Sequence, residues 1–267
     1  MTDDDGPIVA SRESDQGNGT PSCGQVWRLD LAYDGTRFRG WARQPDQRTV
    51  QGVLEEILAM LVRDTVHLSV AGRTDAGVHA HAQVASFAST RPLDPTRLRR
   101  SLNSLLPEDV AVREVSKAPD GFVARRALSR TYRYRLHVAP VKPVFERLYV
   151  WHPHGRLDVR LLHEAAERLV GRHDFAALTP SAHLYRSCAR EVYTAQWQAG
   201  SDHELVFEVR AESFLHNMVR VAVGSMVDVA QGCMTLDDFD LALAYGQRRR
   251  MGRTAPARGL ALVAVKY

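Results

Sequence analysis

Alternating and helically spaced apolar residues predict a first set of elements before residue 122. In "VWRLDLAY", residues 26–33, every second residue is apolar, which is the period of a strand with one buried face. From Val50 to Leu61 the apolar residues recur at helical spacing, and Thr49 is the expected N-cap. Strands are predicted at 65–71 and 80–88, then a helix opened by Asp94 and Pro95, then a strand near "DVAVREV".

The same order of elements is predicted again in the second half of the chain. It comprises a strand "TYRYRLHV", a helix at 158–170 ended by Gly171, strands "EVYTAQWQ" and "ELVFEVRA", a helix at 214–231 ended by Gly232, an extra helix near 236–245, and a strand "GLALVAVKY". We therefore expect an α+β fold of two ferredoxin-like (RRM-like) β-α-β-β-α-β halves, residues 26–122 and 123–267. The halves are expected to join into one mostly antiparallel sheet with helices on a single face and a central cleft.

The first 25 residues and the cysteines bear on the class of protein. Residues 1–25 are acidic and rich in Gly, Ser and Pro, which predicts a disordered acidic tail. No run of eighteen apolar residues exists, and no basic segment followed by an apolar stretch opens the chain, so a cytoplasmic protein without a membrane span is expected. Cys23, Cys188 and Cys233 are scattered, which indicates free thiols.

The net charge suggests a partner for the folded body. The formal charge is +4, but residues 1–25 hold five acids and one base, which leaves 34 bases against 26 acids, about +8, in the remainder. Thirty-two of the 35 basic residues are Arg, and guanidinium groups suit bidentate phosphate contacts. Contact with RNA or DNA is one interpretation of this excess, and a GC-rich genome that favours Arg codons is the other.

A single carboxylate stands out in the stretch "SVAGRTDAGVHAHAQVASF". Asp75 lies between Arg73 and Gly77 in the connection of two predicted strands, and Gly72 and Gly77 permit backbone conformations that bring a loop close to a ligand. The alternative is a turn in which Asp75 accepts backbone N–H bonds and Arg73 is its surface partner. An isolated R-x-D at a turn favours this second interpretation.

Histidine pairs raise the question of a metal site. His79 and His81, with His152 and His154, form two H-x-H pairs whose members share a strand face. No Cys or second carboxylate is spaced to complete a ligand set, so no metal is expected.

Two further residues have both a structural and a functional interpretation. Tyr132 shares a strand face with Tyr134 and Leu136, which is typical of core, although interleaved Tyr and Arg also suit base stacking. The helix "FLHNMVRVAVGSMVDVAQ" is apolar nearly all round and contains Arg220. A buried guanidinium needs a partner, for which Asp75 and Asp228 are the candidates.

Several segments together resemble the tRNA pseudouridine synthase A family. They are "YDGTRFRGWARQ", "TVQGVLE", "AGRTDAGVHAHAQV", "SRTYRYRL", "FLHNMVRVAVGSM" and "APARGLALV", in the family's order and spacing over residues 26–267. The resemblance implies that Asp75 is the nucleophile, that Tyr132 contacts the substrate, and that Arg220 is the family's helical arginine. The expected substrate-binding residues are Tyr132, Arg73 and Arg220. It departs mildly at Ala42, where glutamine is common, and at Arg258, where an acid or glutamine is common.

The resemblance also implies the activity, which is isomerisation of uridine to pseudouridine at positions 38 to 40 in the anticodon stem-loop of tRNA. No cofactor is needed, Arg220 or Arg73 would pair with the ionised Asp75, and a homodimer is expected. One carboxylate is chemically sufficient because the leaving base stays in the pocket. Two rival hypotheses are a catalytically silent RNA-binding module and a metal-dependent phosphodiesterase that uses the histidine pairs.

Overall fold

The computed structural model describes residues 24–201 and 203–267, so the expected acidic tail lies outside the described residues except for Gly24 and Gln25. The first half comprises β1 (Gln25–Tyr33), α1 (Val50–Val62), β2 (Ser69–Val70), β3 (His79–Ser89), α2 (Pro95–Leu105) and β4 (Val110–Lys117). The second comprises β5 (Ser129–His137), α3 (Val159–Glu167), β6 (Gly171–Asp174), β7 (Ala189–Ala199), β8 (Glu204–Ala211), α4 (Met218–Ala230), α5 (Leu236–Ala244) and β9 (Leu260–Lys266).

All nine of these strands form one sheet, in the order β4-β1-β3-β9-β5-β8-β7-β6, with β2 added beside β3. Every strand pairing among the described residues is antiparallel except that of β3 with β9, where His79 pairs with Ala261 and Ala80 with Leu262. The expectation of a single, mostly antiparallel sheet is therefore confirmed. Because β3 belongs to the first half and β9 to the second, the loop that precedes β3 lies at the seam between the halves.

The N-cap residues predicted from the sequence mark the starts of both helices in the first half. The Thr49 hydroxyl accepts the Gly52 N–H at 3.2 Å, and the Asp94 carboxylate accepts the Arg97 N–H at 3.0 Å, as their N-cap positions require. The strand expected at 65–71 contains only two residues in the structure, Ser69 and Val70. One reason is that the Glu55 side chain of α1 accepts the Leu68 N–H at 3.0 Å, so this part of the backbone bonds to a helix side chain.

The second half differs from expectation in two helix boundaries and one strand. Helix α4 begins at Met218 rather than at 214, because Asn217 has a left-handed φ of 60° that interrupts the helix. Helix α3 ends at Glu167 rather than at 170. The strand β6 was not expected, because "GRHD" carries no apolar alternation.

One main apolar cluster lies between the sheet and the helices. It includes residues from all five helices, such as Leu54, Leu102, Leu162, Val221 and Phe239. Helix α4 is buried over nearly its whole length, as its apolar sequence predicts. On the opposite face of the sheet, a small cluster of Ala71, Val84, Ala124 and Ala127 packs under the segment before β5. Among the described residues, no helix is long and apolar enough to span a bilayer.

Candidate active site at the seam of the sheet

The loop between β2 and β3 is held by buried hydrogen bonds on the N-terminal side of Asp75. The Thr74 hydroxyl lies 2.7 Å from the hydroxyl of buried Tyr33, and the Trp41 N–H donates to the Thr74 carbonyl at 3.0 Å. Upstream, the Gln83 side chain donates to the Gly72 carbonyl at 2.7 Å. These buried bonds fix the backbone from Gly72 to Thr74, and with it the position of the carboxylate.

Two glycines make this loop geometry accessible. Gly77 has a φ of +78° and is the third residue of a turn in which the Val78 N–H donates to the Asp75 carbonyl at 3.1 Å. Gly40 has a φ of +93°, and a Cβ there would lie 2.8 Å from the Thr74 carbonyl oxygen. Of the two glycines that flank Asp75, only Gly77 has a positive φ.

Arg220 reaches Asp75 from the opposite half of the chain. Its Nη1 donates to Asp75 Oδ2 at 3.4 Å and to Asn217 Oδ1 at 2.6 Å, and its Nε donates to the Ala255 carbonyl at 2.9 Å. The side chains of Asp75 and Arg220 are only 21% and 19% exposed. The predicted pairing of Arg220 with Asp75 is therefore confirmed, and the guanidinium is fixed by three acceptors from three segments.

The other candidate partner, Asp228, is occupied elsewhere. Its Oδ1 accepts from the Nε of Arg253 at 2.7 Å, and its Oδ2 accepts the Arg253 backbone N–H at 3.0 Å. Asp228 lies two turns further along α4 than Arg220 and ties that helix to the segment before β9. The alternative in which Asp228 neutralises Arg220 is therefore wrong.

Tyr132 lies beside the loop in the apolar layer of β5. Its ring is 7% exposed and meets the Phe214 ring edge-on at a centroid distance of 5.1 Å. Its hydroxyl lies close to Gly72, at 3.5 Å from where a Cβ on that residue would be, and it makes no hydrogen bond with the described residues. Burial, with added contributions from Tyr33 and the negative charge of Asp75, raises the pKa of Tyr132 well above its usual range. The hydroxyl is therefore protonated at neutral pH.

Arg73 behaves differently from Arg220. Its side chain is exposed, and it makes no hydrogen bond or salt bridge with the residues that the structure describes. The alternative in which Arg73 is the surface partner of Asp75 is therefore wrong, and of the two arginines expected to pair with the carboxylate it is Arg220 that does so. The guanidinium is available to a ligand that approaches the loop.

Four residues near Asp75, three of them polar, were missed by the sequence reasoning. His216 lies with its Nε2 3.8 Å from Asp75 Oδ1, and Asn217 contacts Arg220 as described above. Phe214 covers the ring of Tyr132. Buried Arg130 donates to the backbone carbonyls of Ala71, Ala127, Arg125 and Glu212, and so supports the base of the Asp75 loop. The only sequence signal was the position of "FLHN" directly before the buried helix.

The histidine pairs have structural contacts. His79 Nδ1 accepts the Gly35 N–H at 3.1 Å, and its Nε2 lies 3.2 Å from the Arg258 carbonyl, so this ring ties the first half to the second. His152 Nδ1 lies 3.0 Å from the His137 carbonyl. Within residues 24–201 and 203–267, no group of three or more His, Cys, Asp or Glu side chains is arranged to hold a metal ion.

The site thus presents one carboxylate, partly open to solvent, between a cation and an imidazole. A protonated phenol lies behind it and an unpaired guanidinium beside it. A carboxylate that is fixed and charge-paired, yet reachable, is suited to attack an electrophilic carbon or to accept a proton. The basic and aromatic surroundings suit an anionic substrate with flat rings.

Comparisons with known proteins find relatives over most of the chain. The family model described as tRNA pseudouridine synthase matches residues 31–125 and 165–267. A protein of Syntrophotalea carbinolica named tRNA pseudouridine synthase A is 41% identical over 243 residues, which cover 91% of this chain and 96% of that protein. Proteins of the same name from Chloroflexus aurantiacus and Geobacillus kaustophilus are 43% and 40% identical and cover 90% and 89% of this chain.

Among solved structures, a Cbf5-Nop10-Gar1 complex is similar to this chain at 12% identity with a TM-score of 0.35. The match covers 89% of this chain and 58% of the other, so this chain spans little more than half of that protein. A likeness of this degree carries no argument about the site.

Proposed function

The chain belongs to the tRNA pseudouridine synthase family, and on that premise we propose that Asp75 is the nucleophile with which it acts. It is an isomerase that converts uridine in tRNA to pseudouridine. The single observation that carries the assignment of Asp75 is its pairing with Arg220 at 3.4 Å across the seam of the sheet, with 21% of its side chain exposed. Neither a silent RNA-binding module nor a metal-dependent phosphodiesterase accounts for such a fixed carboxylate.

The reaction needs little more than one carboxylate and a closed site. The bond from uracil N1 to the sugar C1′ breaks, the base turns, and C5 bonds to C1′. One proton leaves C5 and one is gained at N1, so atoms balance without redox chemistry or hydrolysis. Because the base is both leaving group and incoming nucleophile, the pair of carboxylates used by ordinary glycosidases is not required. Asp75 would act on the sugar C1′, on the 2′ proton or on the pyrimidine ring.

The neighbours of Asp75 have separate roles in this proposal. Arg220 would keep the carboxylate charged and fix its rotamer, because three acceptors hold the guanidinium in place. Tyr132 would abut the uracil and limit its motion, and its proton at neutral pH makes it a hydrogen-bond donor. Arg73, which is exposed, would contact the RNA next to the target nucleotide.

The substrate region we propose is the anticodon stem-loop of tRNA, at positions 38 to 40. A base in a helical stem cannot reach Asp75, so it must be flipped out of its stack. Several neighbouring uridines would share one site, which requires recognition by shape and phosphate contacts more than by base edges. The charge of about +8 outside the first 25 residues supports phosphate contacts.

The finer architecture and assembly are also part of the proposal. The strand orders β4-β1-β3-β2 and β9-β5-β8-β7 support two ferredoxin-like halves over residues 26–122 and 123–267. Exposed apolar side chains between β5 and α3, with Val141 at 74% and Phe145 at 86%, support a surface covered in a homodimer. We also propose a cytoplasmic location. Light scattering tests the dimer, because it compares the molar mass of the wild type with that of Phe145→Glu.

Mapping pseudouridine in tRNA after incubation with purified protein tests the activity and its region together. The proposal expects new pseudouridine at positions 38 to 40 with wild type and none with Asp75→Asn. Modification confined to another arm of the tRNA would contradict the anticodon assignment, and modification by Asp75→Asn would contradict the nucleophile.

A further inference from the structure

A line of hydrogen bonds runs from Ser181, at the start of a short 3-10 turn, to Arg220, which contacts Asp75. The Ser181 hydroxyl lies 3.0 Å from His216 Nδ1, and Asn217 Nδ2 lies 3.1 Å from His216 Nε2. Asn217 Oδ1 in turn accepts from Arg220 Nη1 at 2.6 Å, and the same nitrogen donates to Asp75 Oδ2. His216 is therefore linked to the carboxylate through two intervening side chains.

The line fixes the protonation state of the imidazole. Arg220 only donates, so the oxygen of the Asn217 amide must face it and the NH₂ group must face His216. His216 Nε2 must then carry a lone pair, and its ring proton sits on Nδ1, where the Ser181 hydroxyl accepts it. The arrangement is complete only with a neutral imidazole.

Protonation of the ring would disturb this arrangement in two ways. An N–H on Nε2 would oppose the N–H of Asn217, which breaks that bond and frees the amide that holds Arg220. The imidazolium would also lie 3.8 Å from Asp75 Oδ1 and compete with Arg220 for the carboxylate. Among the described residues, Tyr185 is the other ionisable group with a recorded contact to His216, since its hydroxyl accepts the His216 backbone N–H at 3.0 Å, and Arg220 is reached through Asn217.

We propose that His216 is a positioning residue of this active site. Its neutral imidazole orients Asn217, Asn217 fixes Arg220, and Arg220 holds Asp75 in its reactive rotamer. Protonation of His216 draws the carboxylate away and lowers the rate of isomerisation. The inference rests on the proposed role of Asp75 as nucleophile.

The test is the single-turnover rate constant of tRNA modification between pH 5 and 9 for wild type, His216→Gln and His216→Leu. Because the arrangement needs a neutral imidazole, the wild-type rate should fall toward about tenfold per pH unit on the acid side of this range. The glutamine carbonyl can accept from Asn217 but does not titrate. The rate constant of His216→Gln should therefore not fall at acid pH, and at pH 8 it should keep most of the wild-type value. His216→Leu should be slower by at least about fivefold at every pH, with KM within about twofold.

The matched control is His163→Gln, which removes an exposed imidazole on α3, away from the Asp75 loop. Its rate constant should fall at acid pH as that of wild type does. Three results would overturn the assignment of His216. The rate of His216→Gln could fall at acid pH as that of wild type does, the wild-type rate could show no fall at acid pH, or His163→Gln could abolish the fall as fully as His216→Gln does. Failure of the underlying proposal is distinguishable, because it would appear as turnover by Asp75→Asn, whatever the pH profile of the His216 variants. The side chain of His216 is 47% exposed, so both variants should fold, which circular dichroism checks.

Discussion

Replacing Arg220 by leucine is expected to lower the turnover of tRNA by at least about a hundredfold. The change removes the donor to Asp75 at 3.4 Å and the bonds to Ala255 and Asn217, while the apolar replacement suits the apolar helix around it. Both members of the ion pair are about four-fifths buried, so solvent screens their attraction only partly.

The magnitude follows from the geometry of the pair. At 3.4 Å and an effective dielectric constant of about 20, two unit charges attract by about 5 kcal/mol. Desolvation of both groups offsets part of this attraction. A net loss of roughly 3 kcal/mol of transition-state stabilisation remains, which corresponds to a rate lower by between one hundred and two hundredfold.

The assay is the single-turnover conversion of uridine to pseudouridine in tRNA, with Arg220→Lys and Arg253→Leu alongside. Lysine should restore little activity, because an ammonium cannot donate to Asp75, Ala255 and Asn217 from one planar group. Arg253→Leu is the matched control, since it removes an Arg–Asp pair from the same helix at Asp228, away from Asp75. It should lower the free energy of unfolding but leave the rate within about threefold.

A near-normal rate in Arg220→Leu would refute this reasoning, as would an equal loss in Arg253→Leu. The double variant with Asp75→Asn adds a test of coupling. If the two side chains act as a unit, their effects on unfolding free energy should be non-additive, because the second change removes a partner that is already lost. Additive effects would mean that Arg220 stabilises the fold without orienting the carboxylate.

Three further predictions follow from the same contacts. Tyr132→Phe should slow turnover by at least about tenfold yet change the unfolding free energy by less than about 0.5 kcal/mol in urea titrations, because the hydroxyl has no hydrogen-bond partner among the described residues. A large stability loss would mean that the hydroxyl is bonded. Burial raises the pKa of Tyr33 to about 12. Since tyrosine ionises first in the unfolded chain, the free energy of unfolding should fall as pH rises from about 10 to 12, and the fall should be smaller in Tyr33→Phe. An equal fall in the variant would contradict this prediction. Affinity for tRNA should drop steeply with salt in filter-binding assays, with a slope equivalent to several phosphate contacts, whereas a flat dependence would indicate that the Arg excess reflects genome composition.

Much of the fold was accessible from the sequence because its signals are local. Thr49 and Asp94 cap the helices that follow them, and the alternating pattern of β1 and β8 marks their buried faces. The errors occurred where a distant side chain or an unusual backbone decides the outcome. Glu55 takes the Leu68 N–H from the expected strand, and the left-handed Asn217 shortens α4.

The site was predictable in part for a similar reason. A guanidinium in an apolar helix must have a partner, so Arg220 could be narrowed to Asp75 or Asp228, and the seam between β3 and β9 decides for Asp75. The roles of His216 and Asn217 were not predictable, because they depend on the 2.6 Å and 3.1 Å contacts at the start of α4. That Arg73 makes no contact with Asp75 was not predictable either, because adjacency in sequence does not determine which way neighbouring loop side chains point.

The most direct test of the central claim is the release of tritium from tRNA that carries uridine labelled at C5, incubated with excess Asp75→Asn. Isomerisation must expel the C5 proton, so the label reports each completed event. The account predicts release with wild type, none above background with Asp75→Asn, and tRNA affinity of the variant within about tenfold of wild type, because the amide keeps the shape of the side chain but not its nucleophilicity. Release above a few per cent of the wild-type yield after long incubation would show that Asp75 is not the nucleophile.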